Sequence, residues 1–400
     1  MYMRKMVVKC MAFAAAAFLM AGCAENTESQ RQSEEKEEAV EKGYGIPVDD
    51  GKKADAQEDC AEMFQRIAEV CPEFMQDERL SLTEEEAQRA ADAMGASGNP
   101  VSGTDVYRGM ENYESMEEFL RDCEAGKEGG IVLYELYDDG EIGRKEFSCD
   151  GEEVYLFAVS AYRKEGGAVL GDVSYSRIKT WSYTEKGWFF YELCAPEYPE
   201  VTEPIYSNAM MRVIPLKEEY VEITERFLEP IAYNGNNLFC TDWDKDHMQG
   251  IDYNGLFEYL YQVKTGDAFD KTRYENGIPG EEFENLMTAC LPVSAEQLRE
   301  YASYESGEER YDWISLGVGN RTLGELPGSI PEVVDLEENS DGTLTLTVDA
   351  VCESMADDEF LTHRLTVSLD GDGSVRYLSN QVEEEKKDAL SEYVYRIQKK

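Results

Sequence analysis

Ile131–Tyr137 (IVLYELY), Ile142–Cys149 (IGRKEFSC), Glu153–Tyr162 (EVYLFAVSAY), Val169–Tyr183 (VLGDVSYSRIKTWSY) and Trp188–Cys194 (WFFYELC) are five β-rich runs. They are joined by Asp138-Asp139-Gly140, Asp150-Gly151, Lys164–Gly167 and Glu185-Lys186-Gly187. Short glycine-containing turns between such runs signal antiparallel hairpins. The stretch reads as an antiparallel meander, which the Pro196, Pro199 and Pro204 cluster ends.

Helical spacing lies on either side of it. Upstream, Cys60, Phe64, Ile67 and Cys71 mark a helix over Asp55–Glu69. Capping boxes at Thr83/Glu86 and Ser115/Glu118 open two more, which Gly95 and Gly126 close. Downstream, helical pattern covers Lys217–Glu229, Leu256–Val263, Glu281–Cys290 and Ser294–Tyr304, the last opened by Ser294 and Gln297. A final β region follows Pro327 and Pro331. In Thr343–Val351 (TLTLTVDAV), Leu344, Leu346, Val348 and Ala350 share one face. Phe360–Leu369 pairs with Val375–Val382, and Glu383–Ile397 is expected as a closing helix. The fold class is α+β: an antiparallel meander, a helical middle and a C-terminal antiparallel β region. The expected division is a signal segment 1–22, an acidic flexible tether 23–53, a first folded region 54–215, a second 216–385, and a C-terminal helix or tail 386–400.

The net charge is −46, from 84 acidic and 38 basic residues. Phosphate binding needs clustered Lys and Arg, so nucleic acid is excluded as a partner, and adhesion to anionic lipid is disfavoured. Such a surface attracts cationic ligands, metal ions and basic protein patches. With 42% hydrophobic and 11% aromatic residues the chain is too apolar to be disordered.

The N-terminus is basic at Arg4, Lys5 and Lys9, then apolar from Met11 to Met20, then Ala21-Gly22-Cys23. The apolar run is shorter than the roughly 20 residues a spanning helix needs and fits a signal-peptide core. Ala21-Gly22-Cys23 resembles the lipobox of bacterial lipoprotein precursors, with Met20 where Leu is commonest. The resemblance implies that Cys23 carries a diacylglyceryl anchor at the outer face of the cell membrane. Two acyl chains hold stably, at about 0.8 kcal/mol per buried methylene.

Eight further cysteines are Cys60, Cys71, Cys123, Cys149, Cys194, Cys240, Cys290 and Cys352. Bridges and free thiols are both open readings. Cys60 and Cys71 cannot pair if both lie on one helix, because their separation would be about 16 Å.

Asp242, Asp244 and Asp246 alternate as at the start of a calcium loop, but His247 stands where the turn glycine belongs and Tyr253 where the closing glutamate belongs. They are kept as a candidate calcium site beside the alternative of a solvated acidic loop; no other cofactor is expected. Trp181, Tyr183, Trp188 and Tyr191 gather on one hairpin, where they either stack on a ligand or pack across strands. His363 shares a face with Leu361, Leu365 and Val367 and reads as a core histidine. No G-x-S-x-G turn, phosphate loop or dinucleotide fingerprint is present. No catalytic residue is assigned.

Tyr183–Phe189, Met211–Leu216, Asn237-Leu238-Phe239 with Trp243, Leu256-Phe257-Glu258, Gly342–Ala350, Thr362-His363 and Tyr377–Asn380 resemble an uncharacterised family of Gram-positive bacterial surface lipoproteins, over about residues 95–385. The resemblance implies an exported lipoprotein and supplies no activity. The leading expectation is a tethered binding or envelope-support protein for a cationic ligand or protein partner. The alternatives are a surface hydrolase of glycan or peptide using paired carboxylates, and an extracellular sensor for a membrane partner.

Overall fold

The computed structural model describes residues 36–72, 82–103, 105–164, 167–316, 326, 328–371, 373–388 and 390–398. The export segment, Cys23 and Asp372 lie outside the described residues. The rest form two compact units. The first comprises the residues before Asp105 with Met110–Trp181 and Tyr191–Asn208. The second comprises Asp105–Gly109, Ser182–Phe190 and the residues from Ala209 onward. The fold is α+β, as the sequence leads one to expect.

In the first unit, helix α1 (Asp50–Val70) starts at Asp49, whose side chain accepts from Lys52 N at 2.9 Å. Its stripe of Cys60, Met63, Phe64 and Ile67 is buried. Helix α2 (Glu84–Gly95) carries the complete Thr83–Glu86 capping box. Strands β1 (Val101–Ser102) and β2 (Met110–Glu111) precede helix α3 (Tyr113–Glu124). That helix does not use the Ser115 box. It starts at Asn112, in the left-handed region at φ 54°, which Asn tolerates. Asn112 Nδ2 donates to Gly95 O and Asn99 O, both at 2.8 Å, so the end of α2 sets where α3 begins.

The meander is β3 (Glu128–Leu136), β4 (Ile142–Asp150), β5 (Val154–Lys164), β6 (Gly167–Tyr183) and β7 (Trp188–Leu193). The sheet order through the unit is β2-β1-β3-β4-β5-β6-β7. β1 joins β3 in parallel, while β3 to β6 pair antiparallel. Tyr134, Leu136, Ile142, Phe157 and Val159 face the stripes of α1 and α2. The stretch expected as a tether is structured over its second half. Residues 36–42 are helical, Gly43 O accepts from Arg177 N at 2.7 Å and Ile46 is buried. Ile46 and Val48 give this part of the acidic stretch apolar surface to bury. Gly43 is required: its φ is +81°, and a Cβ would lie 2.9 Å from Cys194 Sγ.

The second unit contains the turn of the β6–β7 hairpin, β8 (Asn208–Arg212) from its second residue on, and α4 (Glu218–Ile223), which runs into a π-helical turn at Thr224–Leu228. There follow α5 (Tyr253–Thr265), β9 (Ile278–Pro279), α6 (Gly280–Cys290), α7 (Ala295–Tyr301), β10 (Tyr304–Glu305) and β11 (Arg310–Tyr311). The final sheet is β12 (Ser329–Glu338), β13 (Leu344–Cys352), β14 (Asp357–Leu369) and β15 (Val375–Val382), in sequence order and antiparallel. One face, with Leu346, Val348, Ala350, Leu361 and Leu365, packs in the core that holds Leu228, Leu256, Phe257, Phe283 and Met287. On the other, Val351 packs with Trp188 and Phe190. Because both faces are covered, β13 is buried at every residue from Val348 to Cys352.

The closing helix is shorter than expected. Among its described residues only α8 (Glu384–Lys387) is helical. Beyond it the side chains of Tyr393, Tyr395 and Arg396 all bond to the region around the start of α5, so the chain leaves the helical path.

Candidate functional site

The first turn of α5 is built around Asp252. Its Oδ1 accepts from Gly255 N at 2.9 Å and caps the helix; its Oδ2 accepts from Tyr393 OH at 2.8 Å. Gly255 permits no side chain, since a Cβ there would lie 2.5 Å from Gly235 O. One turn on, Glu258 is buried and accepts from Arg396 Nη1 at 3.0 Å, while Arg396 Nη2 donates to Gly255 O at 3.3 Å. The Arg396 side chain is wholly buried (0% exposed). Burial pushes the Asp252 carboxyl above its ordinary range, against the pull of its hydrogen bonds and of Arg396.

Two clefts open beside this tail. One, of about 430 Å³, is lined by Asp252, Asn254, Glu300, Tyr301 and Tyr395. The other, of about 480 Å³, is lined by Glu275, Glu305, Glu308, Asp312, Trp313 and Arg396. Ile397 and Gln398 line both, so the tail runs between them. Asn254 ties their walls together: Nδ2 donates to Asp312 O at 2.8 Å and Oδ1 accepts from Ser303 N at 2.8 Å. Carboxylates beside aromatic faces in a concave wall are the chemistry that holds an organic cation.

A separate polar seam lies within the second unit. Glu332 on β12 is fully buried (0% exposed). Both its oxygens accept from Arg212 Nη1, at 2.8 and 2.9 Å, and Oε2 also accepts from Trp188 Nε1 at 3.0 Å. Burial pushes the Glu332 carboxyl up to about 7 despite these partners. On β13, Asp349 accepts from Lys186 Nζ at 2.6 Å and Thr362 Oγ1 at 2.7 Å. Tyr107 OH, Ser329 Oγ and Asp358 Oδ2 are buried with no hydrogen-bond partner among the described residues. At the π-helical turn, burial together with the neighbouring Asp105 carboxyl raises the Glu225 carboxyl to about 8. Arg108 gathers the surrounding acids, at 2.7 Å from Asp105, 2.8 Å from Glu218 and 3.8 Å from Glu225. Burial also raises the Glu229 carboxyl.

The sequence-derived candidates fall elsewhere. Asp242 Oδ1 accepts from Val382 N, and its Oδ2 pairs with Lys387 at 2.7 Å. Asp244 Oδ1 caps Asp246 N and bonds His247 Nδ1. Among the described residues no three acid, His or Cys groups gather as a metal-binding set. Of the hairpin aromatics, Trp188 is fully buried, Tyr183 and Tyr191 are buried and Trp181 is half-buried, so they offer no common stacking face. Trp188 is held inward by Glu332 and stacks on Phe190. Tyr198 and Tyr206, on the proline-rich loop, are the most exposed tyrosines among the described residues. His363 is a core residue: Nδ1 lies 2.6 Å from Asn380 Oδ1, Nε2 lies 3.2 Å from Tyr233 OH, and burial lowers its pKa to about 4. Among the described residues the eight cysteines form no disulfide. No helix among the described residues is long and apolar enough to cross a membrane.

Residues 53–396 match a family of unknown function, DUF6070, and the chain belongs to it. No curated protein and no solved structure matches the chain.

Proposed function

We propose that this DUF6070 member is an exported, lipid-anchored surface protein that binds a positively charged ligand in the clefts beside the tail of its second unit. The observation that carries the binding reading is the acid-and-aromatic wall formed by Asp252, Glu300, Glu305, Glu308, Tyr301 and Trp313, in a chain of net charge −46. Export and anchoring are supported by the basic-apolar-small-Cys23 pattern of the first twenty-three residues. Calorimetric titration with octalysine and with octaglutamate tests the binding. The expected result is salt-sensitive binding of octalysine alone, weakened when Glu300, Glu305 and Glu308 are changed together to Gln. Equal behaviour of the two peptides would sink it.

A second reading, a surface hydrolase, draws support from Glu225. Its raised carboxyl, with Asp105 and Glu225 both paired to Arg108, resembles an acid pair whose like charges resist ionising together. Loss of peptidase activity in Glu225→Gln is the corresponding test.

A further inference from the structure

Arg396 is an unusual residue to find at the centre of a fixed closure. It sits beyond the last helix, on a strap whose side chains reach down to the start of α5 and partner its buried carboxylates. That surface is set by α5: Asp252 caps it, Gly255 is forced by the close approach of Gly235 O, and Glu258 stands one turn on. Tyr393 OH meets Asp252, Tyr395 OH donates to Gly250 O at 2.8 Å, and the Arg396 guanidinium enters between Glu258 and Gly255 O. Ile397 is buried behind it. Arg396 Nε has no hydrogen-bond partner among the described residues, so the guanidinium uses only part of its donor fork. Open clefts flank the strap on both sides, with Ile397 and Gln398 on the wall of each. A groove carrying two buried carboxylates, a narrow insert held by the side chains of Tyr393, Tyr395 and Arg396, and open clefts on either side of it together describe a peptide-binding groove with a peptide already in place.

We propose that this groove is a binding site for an extended, arginine-bearing peptide segment of another protein, and that Tyr393–Gln398 is its internal occupant, displaced when the partner binds. The inference rests on the cation-binding reading and narrows it. The pattern that fits is an arginine preceded at three residues by a tyrosine, since Tyr393 and Arg396 take the two buried carboxylates. Lysine satisfies the site less well, because it cannot reach Glu258 and the Gly255 carbonyl with separate, fixed donors.

The test uses the full chain and a fluorescent peptide of residues 391–398 (SEYVYRIQ), read by anisotropy. Wild type should bind it weakly, because its own tail competes. Arg396→Ala should bind it at least tenfold tighter, and a peptide with citrulline in place of arginine should lose at least tenfold on that variant. Adding Glu258→Gln to the variant should abolish the gain. Arg396→Ala leaves Glu258 buried and unpaired; should that variant not fold, Tyr393→Phe, which loosens the strap but keeps the ion pair, decides the matter by the same comparison. Equal binding of arginine and citrulline peptides overturns the proposal, as does no gain in a folded variant. If octalysine binds wild type while the 391–398 peptide binds no variant, the groove assignment falls and the cation-binding reading stands. If neither binds, both fall.

Discussion

Changing Glu225 to Gln should make the second unit more stable at alkaline pH. Glu225 neighbours the Asp105 carboxyl and is partly removed from water, with Arg108, Glu218, Glu229 and Tyr107 around it. Its carboxyl is raised from 4.5 to about 8, so between these values the folded state holds a proton that the unfolded state has lost. Stability therefore falls as pH rises through this window. For a fully buried group the difference is worth about 5 kcal/mol. The Glu225 side chain keeps 28% of its exposure, and solvent screening brings the effect to about 2 kcal/mol. Gln keeps the shape and can donate to Asp105, but it does not titrate. Variant and wild type should melt together near pH 4.5, and the variant should melt roughly 4–8 °C higher by pH 9. Scanning calorimetry at several pH values gives the difference directly, and the comparison cancels the repulsion within a chain of net charge −46. A gap that stays constant with pH, or a wild type that is the more stable at pH 9, would refute the argument from a raised Glu225 carboxyl.

Other consequences concern the same framework. Gly255→Ala should cost about 1–3 kcal/mol, seen as a lowered Tm, because its Cβ meets Gly235 O at 2.5 Å and that carbonyl is backbone. Trp188→Phe keeps the ring stack with Phe190 but removes the hydrogen bond to Glu332, so chemical denaturation should show a loss of about 1.5–3 kcal/mol. Cys23→Ala should move the protein from the membrane fraction to the medium, and immunoblotting of fractions reads the change.

Local periodicity made most of the architecture legible. The Thr83 and Ser294 capping boxes and the alternation of Leu344, Leu346, Val348 and Ala350 each need only neighbours a few residues away. The failures have a common cause in distant partners. Alternation places Asp349 opposite Val348, which reads as a solvent face; Lys186, from the β6–β7 turn, covers it. Glu332 looks like any of the chain's acids until Arg212 and Trp188 close over it. The start of α3 depends on the end of α2 through Asn112. The tail has apolar residues at helical intervals, Leu390, Val394 and Ile397, yet Tyr393 and Arg396 find their partners on α5 and the extended path wins. The aromatic hairpin left two readings open for the same reason, because composition marks a ring without saying which side of the strand is covered. Nothing in one sequence singles out Glu258 or Asp252 from the other carboxylates; the capping position of Asp252 before Gly255 is the nearest available signal.

Hydrogen exchange with mass spectrometry, on the full chain with and without a saturating arginine-rich peptide, addresses the binding site itself. Slowed exchange should be confined to residues 249–258 and 300–314, with exchange in 393–398 speeding up as the strap leaves. Protection in the first unit instead, or no change at these segments under saturation, would contradict the assignment of the groove.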